Sequence, residues 1–274
     1  MHLKVLLRHI TEHLALGVLT TIGCAATLNL FSLDEASARV RRGSRDAIID
    51  TFSEAKKVAP SIHAEYPFTI YCGCTYKGKA IDLASCGYRV YKDRKRAARL
   101  EWEHVVPAEA FGQAFAEWRV GGPKCKRSGK RSRGRACAET NPEFRRMESD
   151  LYNLWPEIGE LNNMRKNYSM AEISGPALSF GRCSAKVQNR KFEPMPPARG
   201  IVARVYLYMD QKYPGRGIIS EKNKPLFASW DAATPVSERE CRVGRRVFEI
   251  QHNENPVLAS RCQGRNGWPK LPKI

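Results

Sequence analysis

A single mixed α+β domain stapled by disulfides is the fold class this chain predicts, and three observations carry it. Strand-like and helix-like segments both occur, with no repeat, no Pro/Ser linker and no heptad pattern. Eight cysteines follow an apolar leader, an even number behind an export signal. With 274 residues, 42% apolar and 27% charged, the chain has ample material for a buried core. That composition excludes a disordered tail, a collagen and a multi-span membrane protein.

The elements follow in order. Residues 14–33 carry no charged side chain and come after Lys4 and Arg8, and Ala36-Ser37-Ala38 supplies a cleavage site. Residues 1–38 therefore read as a signal peptide, with an uncleaved N-terminal anchor as the rival. Cys24 lies in this leader. Thr21 is a poor first residue for a lipobox. The domain proper spans 39–262, opening with a basic, mostly helical lead-in over 39–61. Residues 66–74 are rich in β-formers and end in a Cys/Gly turn. Residues 100–106 alternate: Leu100, Trp102 and His104 on one face, Glu101, Glu103 and Val105 on the other, until Pro107 ends the strand.

Residues 121–138 read as a loop with seven Lys/Arg and no acid between Lys124 and Arg135. A helix then starts with Asn141 as N-cap and Pro142 at its first position. Phe144, Met147, Leu151 and Leu154 mark its apolar face, and Pro156 closes it after Leu154. Two more helices are predicted over 198–213 and 237–251. Residues 263–274 form a basic tail.

The cysteines behind the leader are Cys72, Cys74, Cys86, Cys125, Cys137, Cys183, Cys241 and Cys262. Short loops favour Cys125–Cys137 and Cys241–Cys262, leaving the other four to pair among themselves. Zinc is disfavoured because only Cys72 and Cys74 are closely spaced. A redox role is disfavoured because C-x-C is not the usual redox spacing.

The formal net charge is +18 and becomes +19 without the leader. Such a surface favours polyanions as partners: nucleic acid, anionic lipid or acidic polysaccharide. Lys124, Arg145, Arg146 and Arg165 are the candidate phosphate contacts. Only His63, His104 and His252 survive removal of the leader. His104 stands out because Glu103 precedes it at a strand end. Phosphodiester hydrolysis needs a water activator and a hard cation. Glu103 is one oxygen donor, and the helix end at 149–153 supplies a second. Mg²⁺ takes few protein oxygens and keeps several waters, so two ligands suffice.

Cys72-Gly73-Cys74, Cys86-Gly87-Tyr88, EWEHVVPA at 101–108, MESDLYNL at 147–154, Gly159-Glu160-Leu161-Asn162 and RGIVARVYLYM at 199–209 closely resemble the bacterial endonuclease I family. The resemblance runs in order from about residue 47 to Cys262. It implies a ββα-metal (His-Me finger) core and an exported, sequence-nonspecific endonuclease, periplasmic or secreted. His104 matches the family's general base, Glu103 a metal ligand, and Asn153 the asparagine that completes the protein's share of the shell. One Mg²⁺ per site is implied, with Mn²⁺ or Ca²⁺ as substitutes, and no small-molecule cofactor. DNA and RNA as substrates and products with 5′-phosphates are likewise implied, and a monomer is expected. Membrane contact arises only if the leader stays uncleaved.

Three departures stand out. The family arginine expected after Gly121-Gly122 is replaced by Pro123, so its role passes to Lys124, passes to an arginine within 126–135, or is weakened. Glu117 stands where the family tends to have a cysteine, which shifts the local bridge to Cys125–Cys137. Glu254 occupies a family histidine slot near His252, which is read as structural. The competing reading is a noncatalytic, exported polyanion-binding protein.

Overall fold

The computed structural model describes residues 49–123, 125–127 and 130–265, so the leader, the first ten residues of the 39–61 lead-in, Lys124, residues 128–129 and the last nine residues lie outside the description. Its first helix, Phe52–Ile62, begins at a capping box: Thr51 Oγ1 accepts from the Glu54 N–H, and the Glu54 carboxylate accepts from the Thr51 N–H. Ala55, Ala59 and Ile62 turn inward from it. The next stretch, 66–74, is not a strand. It is a chain of turns with one isolated bridge, Phe68 to Thr75. Gly73 takes φ +68°, a conformation that costs glycine nothing. The turn sends neighbouring cysteines to different partners, Cys72 to Cys183 and Cys74 to Cys86. Cys125–Cys137 and Cys241–Cys262 form as the loop lengths suggest. All eight half-cystines are thus paired.

The predicted strand forms over Leu100–His104 and pairs antiparallel with Leu154–Ile158, placing Glu103 opposite Trp155 and His104 opposite Leu154. This corrects the reading of one helix from 142 to 154. The helix starts as expected at Asn141, whose Oδ1 accepts from the Glu143 and Phe144 N–H groups, but it stops at Glu148. Asp150 ends it. Its buried carboxylate accepts from the Tyr152 N–H, the Tyr208 and Tyr213 hydroxyls and Gln251 Nε2. After one 3₁₀ turn, Leu151–Asn153, the chain enters the strand. Pro156 gives no N–H to the ladder, but its carbonyl accepts from the Ile70 N–H at 2.9 Å.

A four-stranded sheet runs in the order Ser169–Met170, Lys191–Glu193, Cys183–Gln188, Leu178–Phe180. Its first pair is parallel and the others are antiparallel. The central helix, Pro196–Lys212, buries Val202, Ala203, Tyr206 and Met209 and packs on Lys224–Ala233. Helix Glu238–Gln251 starts at a second capping box, Ser237 with Glu240. Glu240 also holds the buried Arg204. Among the described residues no helix is long and apolar enough to cross a membrane.

His63 sits in this core between Trp102 and Trp155, with Nε2 3.2 Å from the Leu154 carbonyl. Burial, helped by Arg239, lowers its pKa from 6.5 to about 3. The neutral imidazole therefore stabilises the fold fully above pH 6.5, and that contribution drains away as pH falls towards 3. The unfolding midpoint should drop over that interval, and His63→Asn should show a shallower drop in the same titration.

Candidate active site

His104 is the last residue of the Leu100–His104 strand and is nearly buried. Its Nε2 lies 2.7 Å from the Glu148 carbonyl. A carbonyl only accepts, so Nε2 carries the proton and Nδ1 is left as the basic nitrogen. Phe52 packs against the ring at 4.5 Å between centroids. Burial and the nearby Arg135 push the imidazole pKa down to about 3, keeping it neutral at ordinary pH.

Glu103 is held from beneath. Its Oε1 accepts from the Tyr71 hydroxyl at 2.8 Å and faces Arg165 Nη1 at 3.3 Å. Burial raises the carboxyl to about 7 against the opposing pull of Arg165 and Tyr71. Oε2 has no hydrogen-bond partner among the described residues. The Tyr71 backbone N–H is fixed in turn by Glu157 Oε2 at 2.7 Å, which ties the 66–74 loop to the partner strand.

Both side chains line a cavity of about 290 Å³, with Trp102, Arg135, Asn162 and Arg165 on its wall. Asn153 is not on that wall. It is fully buried, and its amide is used on one backbone unit: Oδ1 accepts from the Val106 N–H at 2.7 Å and Nδ2 donates to the Val106 carbonyl at 2.9 Å. It stands at the end of a 3₁₀ turn and locks the chain leaving His104. Asn162 comes from the following helix, Gly159–Arg165. That helix starts close against the Arg96 carbonyl, which a Cβ at position 159 would meet at 2.7 Å, so glycine is required. Glu160 accepts from the N–H groups of Tyr91, Lys92 and Asp93 and pins that loop.

The expected phosphate contacts separate. Lys124 lies outside the described residues. Arg145 is ion-paired with Asp50 at 2.8 Å, and Arg146 is exposed; neither lines the cavity. Arg165 lines it but is only 1% exposed. Its guanidinium donates to the carbonyls of His104, Val105 and Lys166, and Nε finds no partner. It braces the strand end and Glu103. From the basic run at 124–135, Arg135 reaches the rim, where it pairs with the Glu148 carboxylate and lies over Phe52. The sequence offered Asn162 as a turn residue or a DNA contact on the loop that the family resemblance places there, and Arg135 as one cation among seven. Their place on the wall follows only from the fold.

A carboxylate, a tautomer-fixed histidine and an amide line one cavity, and the endonuclease I family model matches residues 44–262 of the chain. The chain belongs to the endonuclease I family. Membership makes it a nuclease, a hydrolase of phosphodiester bonds. An extracellular deoxyribonuclease of Aeromonas hydrophila is 41% identical over 78% of this chain and 91% of its own length. A periplasmic deoxyribonuclease of the same organism is 39% identical over 78% of this chain and 87% of its own. Endonuclease-1 of Buchnera aphidicola subsp. Acyrthosiphon pisum is 37% identical over 82% and 87%.

Proposed function

We propose that this endonuclease I is exported and cuts DNA and RNA internally, without sequence preference, in the periplasm or outside the cell. One observation carries the reading: the Glu148 carbonyl fixes the His104 tautomer beside a cation-ready carboxylate in an open cavity. The names of the Aeromonas relatives support export and DNA as substrate. A site that reads phosphate rather than base edges would admit RNA as well.

The donor set fits a hard divalent cation. Glu103 Oε2 and Asn162 Oδ1 accept no hydrogen bond among the described residues. Among the described residues no group of three His, Cys, Asp or Glu side chains could hold a metal ion, so a cation here would rely on few protein oxygens and on water. Glu103 and Asn162 would hold Mg²⁺, with Mn²⁺ or Ca²⁺ as substitutes, the remaining positions being filled by water. When bound, the cation supplies charge stabilisation at the phosphate and leaving oxygen.

The chain's own residues do the rest. His104 takes a proton at Nδ1 from the attacking water while Nε2–H stays on the Glu148 carbonyl, which steadies the imidazolium. Arg135 presents positive charge at the rim and neutralises phosphate oxygens as the substrate enters. Breakage on the 3′-oxygen side leaves 5′-phosphate ends.

Supercoiled plasmid and a structured RNA should both be degraded in Mg²⁺ and spared in EDTA. Plasmid left intact by oxidised, Mg²⁺-loaded protein would favour the noncatalytic polyanion-binding reading. The two asparagines should separate cleanly. Asn162→Ala should weaken Mn²⁺ binding and cleavage about tenfold or more with an unchanged unfolding midpoint. Asn153→Ala should cost about 1–3 kcal/mol of stability by orphaning the Val106 backbone. Calorimetric titration and urea unfolding read these effects, and the opposite pattern would return the ligand role to Asn153.

A further inference from the structure

A second, larger groove of about 540 Å³ adjoins the catalytic cavity, and Trp102 lines both. Lys56 and Lys57 enter it from the Phe52–Ile62 helix, and Lys79 from the turn between the short strands Tyr76–Lys77 and Ala80–Ile81. These three lysines make no ion pair among the described residues. The arginines nearby behave differently: half-buried Arg96 and exposed Arg99 both close on Glu101, at 2.9 and 2.8 Å. Within the groove's own lining Glu101 offsets Arg99, and the remaining lining charge is that of the three lysines. Lys56 is held in place over the Phe52 ring, 4.4 Å from its centroid. Phe52 itself packs on His104, so a cation of the groove sits one ring away from the catalytic imidazole. Half-buried Tyr76 and Trp102 add aromatic surface to the wall.

Unpaired lysines lining one groove repel, and the folded chain brings them there from two separate elements. A trough of cations interleaved with aromatic rings tracks a polynucleotide backbone while offering bases a stacking surface. We propose that this groove binds a stretch of one polynucleotide strand flanking the phosphate held at His104, with Lys57 and Lys79 each neutralising a phosphate and Trp102 marking the step between subsite and cavity. This extends the nuclease reading and rests on it for the position of the scissile phosphate.

The test is the salt dependence of binding in EDTA, read by fluorescence anisotropy with a labelled duplex long enough to span both cavities. Lys57→Gln/Lys79→Gln removes two exposed charges from the groove. Lys191→Gln/Lys222→Gln removes two exposed charges that line neither cavity. The first pair should weaken binding and reduce the log–log salt slope by about two, close to 0.9 per lost phosphate contact. The second should leave the slope within about half a unit of wild type. An unchanged slope in the groove variant overturns the proposal. Equal reductions in both variants also overturn it, because net charge would then account for the effect. Wild-type plasmid cleavage in Mg²⁺ is measured alongside. Its absence would sink the nuclease reading while the anisotropy series still decides the groove.

Discussion

His104→Ala should reduce plasmid cleavage by about 10²–10⁴-fold, the range that a positioned general base contributes. The reasoning starts at the Glu148 carbonyl, 2.7 Å from Nε2. That bond holds the ring in one tautomer, and burial with the Arg135 charge keeps it unprotonated at neutral pH, so every molecule carries a free basic nitrogen. Removing the ring takes away the proton acceptor and leaves Glu103, Asn162 and Arg135 in place. Cation affinity should then stay near wild type while the rate collapses. Free imidazole added to His104→Ala should restore part of the rate, because truncation opens space between Phe52 and Glu148. Single-turnover cleavage at saturating Mg²⁺ is the measurement. A variant that cuts like wild type would show that another group takes the proton.

Arg165→Met should be the most damaging substitution to the fold, at about 3–5 kcal/mol, the usual result of removing one partner from a buried ion pair. The guanidinium is 1% exposed, faces Glu103 and caps the carbonyls of His104 and Val105. Without it a buried carboxylate loses its counter-charge, and two strand-end carbonyls lose their donors. Glu103 should respond by holding its proton more tightly, so that Mg²⁺ affinity falls most below neutral pH. Arg165→Lys should recover part of the stability, since one ammonium replaces the charge but not the fork. Urea unfolding in EDTA gives the stability change. A loss under about 1 kcal/mol together with weakened DNA binding would make Arg165 a substrate contact instead.

Local signals were readable where one residue type carries a local rule. The alternating run marked the site strand, though it ends at His104, three residues before Pro107, and Asn141-Pro142 marked a helix start. The strand at Leu154–Ile158 was hidden because all five residues are buried, so neither face shows a polar period. It was read as the tail of a helix, with Asn153, matched through the family resemblance to a metal ligand, at its end. Which of two asparagines faces a cavity depends on contacts made across the chain, such as the Val106 backbone holding one of them. Arg165 misled for a related reason. A lone arginine on a basic chain reads as surface charge, and only the packed fold reveals that its donors turn inward.

The Cys125–Cys137 bridge closes a small ring, and Arg135 stands just inside the rim of that ring. Whatever occupies the middle of the ring is fastened at its base, so its length has little leverage on where the guanidinium points. Loop closure costs grow only slowly with length. On the proposed reading, residues between the two cysteines can be added, removed or recharged at small entropic cost while the bridge anchors the ends of the loop.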